Sequence, residues 1–411
     1  MRRLRTQVGI IGAGPAGLVL ANLLSRAGVA CRVVERQSRE HVEHRPRAGL
    51  LEHRVVAALR RDGLADRLLA DGVRHGWCAF RCLGRDVRVD YGALSGGRRH
   101  WVYPQQFLVR DLIATLTGGA GPPPMFSKTV RAVEDVTTHR PRLVCDGIEI
   151  ECEYVVGCDG FRGASRAALP AVRHRVFRRR YPYDWLTVLA EVDRPAEGVV
   201  YAVHPDGFAG IMPRTSRLSR FYLQCAPGDT ADDWPAHRIH EQLRARLAPL
   251  PDIAGFPDVH VLRMRSSVTE PLRHGRLLLA GDAAHVLTPS GAKGMNLAIA
   301  DAIALAGALL RRYRDGDRGA LDAYSARRLP QIWRAQEFSD RLLRLLHLPP
   351  GKDGDAGFSL RLRLAAIERL GRPGPHAAAF AHDYVGSGAR EPESPDAPHA
   401  AEGPTEGSAW P

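Results

Sequence analysis

Three short segments hold residue types and spacings able to do chemistry. The first is Gly12-Ala13-Gly14-Pro15-Ala16-Gly17, a G-x-G-x-x-G hexapeptide that follows an apolar run and opens a stretch of helical periodicity. Its first glycine permits a tight turn, its second lets the backbone approach a pyrophosphate, and its third lets helix pack on strand. The N–H groups at the start of that helix attract phosphate charge. Glu35 ends the next apolar run, where a carboxylate binds ribose hydroxyls. The second and third segments are Gly157-Cys158-Asp159-Gly160 and Gly281-Asp282-Ala283-Ala284-His285. Each closes an apolar run, which places an aspartate at the carboxyl end of a strand, the edge from which open α/β sheets bind ligands. Asp282 can there bond a ribityl or ribose hydroxyl. Residues 288–296 follow, from Thr288 through Pro289, Ser290, Gly291, Ala292, Lys293, Gly294 and Met295 to Asn296, and open a long helix. Backbone N–H groups at its start can stabilise negative charge on a reduced flavin. The hexapeptide alone does not separate FAD from NAD; the later segments, in this order, favour FAD.

The elements needed to position these residues are legible as periodicities. A buried strand is predicted over 8–11, a glycine turn over 12–17, a helix over 18–26 stopped by Gly28, and a second strand over 29–35. This is a βαβ opening. Further strands are predicted over 154–159 and 276–282, and helices over 57–69, 292–313 and 321–346. Between them, 185–224 alternates polar and apolar residues with aromatics, the pattern of an antiparallel sheet. The parallel units are thus separated by antiparallel sequence. The expected fold class is α/β: a Rossmann-like FAD-binding domain assembled from 1–73, 98–180 and 268–345, with an inserted, mostly antiparallel β-sheet substrate domain from 74–97 and 181–267. A C-terminal helical region over 346–390 and a disordered Pro/Gly/Ser/Glu-rich tail over 391–411 complete the reading.

Composition sets the outer bounds. The 411 residues are 45% apolar and 25% charged, ample for a buried core and inconsistent with wholesale disorder. The 58 Lys and Arg against 45 Asp and Glu leave a net charge of +13. The basic residues are spread along the chain, which favours dispersed solvation over a nucleic-acid stripe and leaves an anionic ligand open. Seven cysteines, an odd number with no metal spacing, read as free buried thiols with no metal site. The basic and apolar start is broken by Gly12, Gly14, Pro15 and Gly17, unlike a signal peptide, and no run reaches a membrane span. The expectation is a cytoplasmic protein with no membrane partner.

With Glu35-Arg36-Gln37, Arg45-Pro46-Arg47-Ala48-Gly49, Gly160-Phe161 and Tyr201-Ala202-Val203-His204-Pro205 added, the chain resembles the FAD-dependent aromatic hydroxylases (class A flavoprotein monooxygenases), in the 4-hydroxybenzoate 3-monooxygenase branch, over about residues 7–390. The resemblance implies FAD, a nicotinamide donor (NADPH or NADH), O2 as co-substrate, a flavin C4a-hydroperoxide as hydroxylating species, a small aromatic carboxylic acid as substrate, and a homodimer. It also implies residue roles. Gly12, Gly14, Gly17, Glu35, Arg36, Arg47, Gln105, Asp159, Asp282, Gly294, Met295 and Asn296 match FAD-binding positions. Arg214 and Tyr222 match holders of the substrate carboxylate. Tyr201 and Tyr384 match the pair that bonds and deprotonates the phenol, with His75 at the outer end of the proton path and the Pro289 carbonyl near the phenol. Arg36, Gln37, Arg45, Arg166 and Arg265 match positions used for the nicotinamide dinucleotide. The residue chemistry agrees: an arginine fork grips a carboxylate bidentately, and a phenol with pKa near ~10 needs a base to become a nucleophile at neutral pH.

Three positions depart from the branch. Met212 stands where a serine hydroxyl is usual, and Gly210 and Val199 replace leucines. The resulting expectation is a reshaped pocket for a ring-substituted acid such as 3-amino-4-hydroxybenzoate, hydroxylated at carbon 2. 3,4-Dihydroxybenzoate is a second acid of this kind; the alternatives are plain 4-hydroxybenzoate giving protocatechuate or, in another class, an FAD reductase or oxidase that inserts no oxygen. The basic groups of 36–41 favour NADPH, opposed by Glu40.

Overall fold

Val8–Ile11 is buried along its whole length and pairs in parallel with Cys31–Val34 on one side and Tyr154–Gly157 on the other. Leu277–Leu279 extends the parallel set beyond Tyr154–Gly157, and Arg273–His274 closes that edge antiparallel. Strands covered on both faces must be apolar throughout rather than alternating, and VGII, YVVG and LLL are. The structure, a computed structural model, describes residues 2–47, 49–348 and 356–386. Ala48 and the tail expected over 391–411 lie outside the described residues.

The helix Pro15–Arg26 begins three residues earlier than expected because Pro15, whose φ is already helical, occupies its first turn. It packs against the long helix Gly294–Arg314 and against Gln105–Thr115. Asn22 is buried at the second contact, its amide donating to the carbonyls of Leu18 and Leu112. Gly294–Arg314 is long and apolar enough to cross a membrane, but most of it is buried in the protein core. It starts two residues later than its periodicity suggests because Ala292 takes a left-handed conformation, φ 52°. The single helix expected over 57–69 is two, His53–Arg61 and Asp66–Asp71, interrupted where Gly63 takes φ +63°. The helix expected over 321–346 is likewise split into Gly319–Asp322 and Tyr324–Leu346.

The antiparallel region is a seven-stranded sheet in the order Ile253–Leu262, Asp184–Val192, Leu218–Cys225, Ala209–Pro213, Val199–Val203, Cys78–Cys82, Arg85–Val89. Its pairings are antiparallel except Val199–Val203 on Cys78–Cys82. Register sets Tyr201 opposite Gly210, and Gly210 opposite Tyr222, so these three side by side share one face. A separate three-stranded sheet places His100–Val102 between Leu50–Leu51 and Val73–His75, with His75 directly opposite His100. A further three-stranded sheet carries Arg175–Arg180 as the edge strand beside Arg265–Glu270. All seven cysteines are free; six are buried and Cys158 is partly so.

Candidate active site

The glycine turn and the ends of the parallel strands form one cradle. Gly12 has φ +104°, and a Cβ there would overlap the Cys158 carbonyl oxygen. A Cβ on Gly17 would overlap the Gly12 carbonyl. Gly14 differs: a Cβ there meets nothing within 4 Å, so its backbone faces open space. The Glu35 carboxylate sits at the end of its strand, accepting from the Ala13 N–H at 2.9 Å and the Gln37 N–H at 2.8 Å. Asp282 is exposed and has no hydrogen-bond or ion-pair partner among the described residues. The turn that presents it is pinned from beneath by Asp301. That carboxylate accepts from the Gly281 N–H at 2.9 Å, from His285 Nε2 at 2.7 Å and from Arg328 Nε at 2.7 Å. Burial alone would raise the Asp301 pKa, but Arg328 and His285 outweigh it and hold the acid below its ordinary value.

Asp159 and Asn296 bond groups of the protein itself. Asp159 accepts from the Ser165 N–H at 3.0 Å and from the Ser165 hydroxyl, which fixes the helix Ala164–Ala167. Burial pushes its pKa up. Asn296 accepts from the Glu52 N–H at 2.8 Å and donates to the Leu50 and Ala292 carbonyls, tying the start of the long helix to the segment 50–52. Lys293 completes this tie, donating to Glu52 and to the Tyr384 carbonyl, both at 2.7 Å. Gly294 and Met295 begin the helix, where N–H groups have no intrahelical partner, and Gly294 faces open space. Gln105 starts its own helix, half-buried; Arg47 is exposed and close enough to Asp282 to feel its charge. An open glycine, an unpaired strand-end aspartate, a ribose-side carboxylate and unsatisfied helix N–H groups suit FAD.

Between this cradle and the seven-stranded sheet lies a small cavity of about 30 Å³, enough for about two waters. Val199, Tyr201, Gly210, Met212, Tyr222 and Pro289 all line it. The Tyr201 hydroxyl donates to the Ser290 carbonyl at 3.1 Å and lies 2.9 Å from the Tyr384 hydroxyl. Burial pushes both phenols well above their ordinary pKa. The Pro289 carbonyl accepts from the Ala292 N–H, and Ala292, the left-handed residue, is itself part of the wall. The Tyr222 hydroxyl donates to Met212 Sδ at 3.3 Å.

Two expectations change here, at Gly210 and Arg214. The space freed at Gly210 is occupied: a Cβ there would lie 3.0 Å from the Phe208 ring, which therefore substitutes for the missing side chain. Arg214 is buried just past the strand that carries Met212 but does not line the cavity. Its guanidinium donates to the Arg47 carbonyl and to Gln106 Oε1 at 3.3 Å, as a buried cation must find acceptors, and burial lowers its pKa to about 10. His75 does not touch the Tyr384 hydroxyl; its Nδ1 lies 2.8 Å from the Tyr91 hydroxyl.

Several wall residues have no sequence signature because their partners come from distant segments. Trp185 is fixed by its indole N–H donating to His347 Nε2 at 2.8 Å, and His347 stacks on Tyr183 at 3.9 Å. Arg220, opposite Met212 in register, is buried with Nε and one Nη lacking hydrogen-bond partners, and Asp258 is 3.9 Å away.

A second, larger cleft of about 560 Å³ lies beside the Arg175–Arg180 strand. Phe161 is held between Arg166 at 4.7 Å and Arg265 at 4.3 Å, and Arg178, Arg179 and Arg180 also line the cleft, with no carboxylate in its wall. Arg36, Gln37 and Arg45 stand outside it; the Gln37 N–H is on Glu35, and Arg45 is close enough to Arg47 for their charges to interact. Among the described residues no group of three His, Cys, Asp or Glu is placed to hold a metal ion.

Comparison with known proteins agrees with this geometry. The model of the FAD binding domain family matches residues 5–339. A p-hydroxybenzoate hydroxylase of Acinetobacter baylyi is 34% identical over 394 residues, covering 94% of this chain and 96% of the relative. An aklavinone 12-hydroxylase of Streptomyces peucetius is 30% identical over 354 residues, covering 78% of this chain and 70% of the relative. Among solved structures, a p-nitrophenol 4-monooxygenase from Pseudomonas putida superposes with a TM-score of 0.80 at 20% identity, covering 94% of this chain and 98% of that one. A flavin-dependent monooxygenase solved with FAD and substrate superposes at 0.74 with 22% identity, covering 92% and 74%. These two share the fold.

Proposed function

The chain belongs to the FAD-dependent aromatic hydroxylases, and from that premise we propose that it hydroxylates a phenolic acid of the 4-hydroxybenzoate type at the expense of NAD(P)H and O2. The observation that carries the reading is the Tyr201–Tyr384 hydroxyl pair at 2.9 Å on the wall of a cavity that also reaches Met212, Tyr222 and Pro289. Glu35, Asp282, the Gly14 backbone and the N–H groups from Gly294 would hold FAD. Bound FAD supplies the redox chemistry, hydride uptake from a nicotinamide and activation of O2.

The chain's own residues do the rest. Arg214 takes the substrate carboxylate in place of the Arg47 carbonyl and Gln106, exchanging neutral acceptors for a charged one. Tyr222, close enough to Arg214 to feel its charge, supplies a hydroxyl. At the other end of the ring, Tyr201 takes up the phenol proton as its own hydroxyl proton turns from the Ser290 carbonyl and passes to Tyr384, 2.9 Å away, which gives up its own proton in turn. The exchange leaves neither tyrosine as the phenolate that burial disfavours. Ionisation enriches the ring carbon ortho to the phenol oxygen, the position to be hydroxylated. The apolar walls, Val199, Phe208 and Trp185, keep water from the reaction. The arginine cleft around Phe161 suits the phosphates of the reductant, and its five guanidiniums, of which Arg179 is paired with Asp340 outside the lining, favour the additional phosphate of NADPH.

The test is a panel of 4-hydroxybenzoate, 3,4-dihydroxybenzoate and 3-amino-4-hydroxybenzoate, each given to the FAD-loaded enzyme with NADPH in air and each product weighed. One added oxygen on at least one acid is expected. Phe208 filling the space at Gly210 favours the unsubstituted ring, whereas Met212 and Val199 leave a substituted ring open; a kcat/KM higher for the 3-amino acid decides for the latter. NADPH consumption with no oxygenated product from any phenolic acid would remove the reading.

A further inference from the structure

Phe208 stands where the substrate ring has to lie. It immediately precedes the strand Ala209–Pro213 and lines the small cavity together with Gly210 and Met212. Register puts Gly210 between Tyr201 on one neighbouring strand and Tyr222 on the other. In the reading above, Tyr201 meets the phenol and Tyr222 the carboxylate. A ring that reaches from one to the other therefore crosses Gly210, with the carbons between its two polar groups nearest that residue. The place that a side chain at Gly210 would take is held by the tip of the Phe208 ring: a Cβ there would lie 3.0 Å from Phe208 Cζ and 3.6 Å from Phe208 Cε2.

The Phe208 ring has nowhere to retreat. Its backbone is tied on both sides to Gln224, the Phe208 N–H donating to Gln224 Oε1 at 3.0 Å and the Gln224 N–H donating to the Phe208 carbonyl at 2.8 Å. Behind the ring, Trp185 stacks at 4.6 Å between centroids and His347 lies at 5.2 Å. The Trp185 indole N–H donates to that same His347, so the backing is itself locked. All three side chains are buried. Moving Phe208 outward means moving Trp185 and His347 with it, which a close-packed interior resists. Phe208 is thus a fixed stop and not a swinging gate.

We propose that Phe208 is the specificity-determining residue that sets how large a group the substrate can carry on the ring carbons between its phenol and its carboxylate. The inference rests on the site reading given above and adds to it the residue that limits ring substitution. A ring hydrogen clears the Phe208 tip; a group of two heavy atoms meets Cζ. Phe208 has no polar atom to offer the substrate, so it acts by volume alone. Because Gly210 leaves this place to a residue outside the strand, the stop can be shortened without altering the strands that carry Tyr201, Met212 and Tyr222.

The test titrates the flavin absorbance of the FAD-loaded enzyme with 4-hydroxybenzoate and with 4-hydroxy-3-methoxybenzoate, and reads the ratio of the two dissociation constants. One methylene too many in a closed apolar pocket costs about 10- to 200-fold. The wild-type enzyme should therefore bind the methoxy acid at least about tenfold more weakly than the plain acid. In Phe208→Ala that ratio should fall by at least about tenfold. Phe208→Leu, which stays apolar but ends short of Cζ, repeats the test if Phe208→Ala does not retain FAD. A merely structural role would weaken both acids alike and leave the ratio where it was. A ratio within about twofold of wild type in a variant that binds the plain acid overturns the inference and leaves the site reading intact, as does a wild-type enzyme that binds both acids equally. A wild-type enzyme that binds neither acid overturns the site reading and the inference with it.

Discussion

Replacing Arg214 by Gln separates recognition of the carboxylate from everything else the pocket does. Gln keeps a polar amide for the Arg47 carbonyl and Gln106, so the neighbourhood stays satisfied while the charge and the fork are lost. A bound carboxylate takes two charge-assisted bonds from Arg214, but the guanidinium gives up its two present acceptors to make them. The net loss is therefore close to one charged hydrogen bond, about 1.5–3 kcal/mol, or about a 10- to 150-fold weaker dissociation constant. Titrating the flavin absorbance with 4-hydroxybenzoate and with 4-hydroxybenzyl alcohol gives the answer. The acid should lose affinity by that factor and the alcohol, which has no carboxylate, should not change. Equal weakening of both, or of neither, refutes the assignment of Arg214.

Three further outcomes follow from the same geometry. Gly14→Val places its side chain in open space, so the variant should melt within about 1 °C of the wild-type apoprotein yet fail to retain FAD on gel filtration; retained flavin contradicts the placement of the pyrophosphate. Asp301→Ala strands Arg328 and the Gly281 N–H in the core, at a cost of about 3–5 kcal/mol, which for a chain of this size lowers Tm by about 4–6 °C; a shift under about 1 °C would show that the ion-pair cluster does not hold the Asp282 turn. Stability should also fall with acid. Burial lowers the folded pKa of His75 to about 4 and of His100 and His347 to about 3, against about 6.5 unfolded. The unfolded chain then binds more protons between the two values, so stability is complete above about pH 6.5 and is lost as pH falls toward 4, by on the order of 2 kcal/mol per histidine at pH 5. A urea midpoint unchanged between pH 7 and pH 5 contradicts this.

The parts legible in the sequence were those whose signal is local. The glycine turn, the apolar runs at 8–11 and 154–157 and the alternation over 185–224 each report their own backbone, and the structure forms them there. Helix limits were less legible because single residues decide them: Gly63 breaks one helix, Pro15 advances another and left-handed Ala292 delays a third. The site was legible where one residue type acts alone, as with Glu35 or Asp282. It was not legible where function depends on a partner far along the chain. Phe208 filling the gap at Gly210, His347 orienting Trp185, and Tyr91 joining His75 to His100 are products of register and packing. Arg178-Arg179-Arg180 likewise reads as a short basic run; only the pairing with 265–270 sets these arginines in one cleft with Phe161, Arg166 and Arg265.

The most direct measurement supplies the FAD-loaded enzyme with NADPH, 4-hydroxybenzoate and isotopically heavy oxygen gas, then weighs the product. The account predicts a dihydroxybenzoate carrying one heavy oxygen atom, formed in step with NADPH oxidation. Recovery of unchanged 4-hydroxybenzoate and of both other acids of the panel, with hydrogen peroxide as the sole fate of the oxygen, would contradict it.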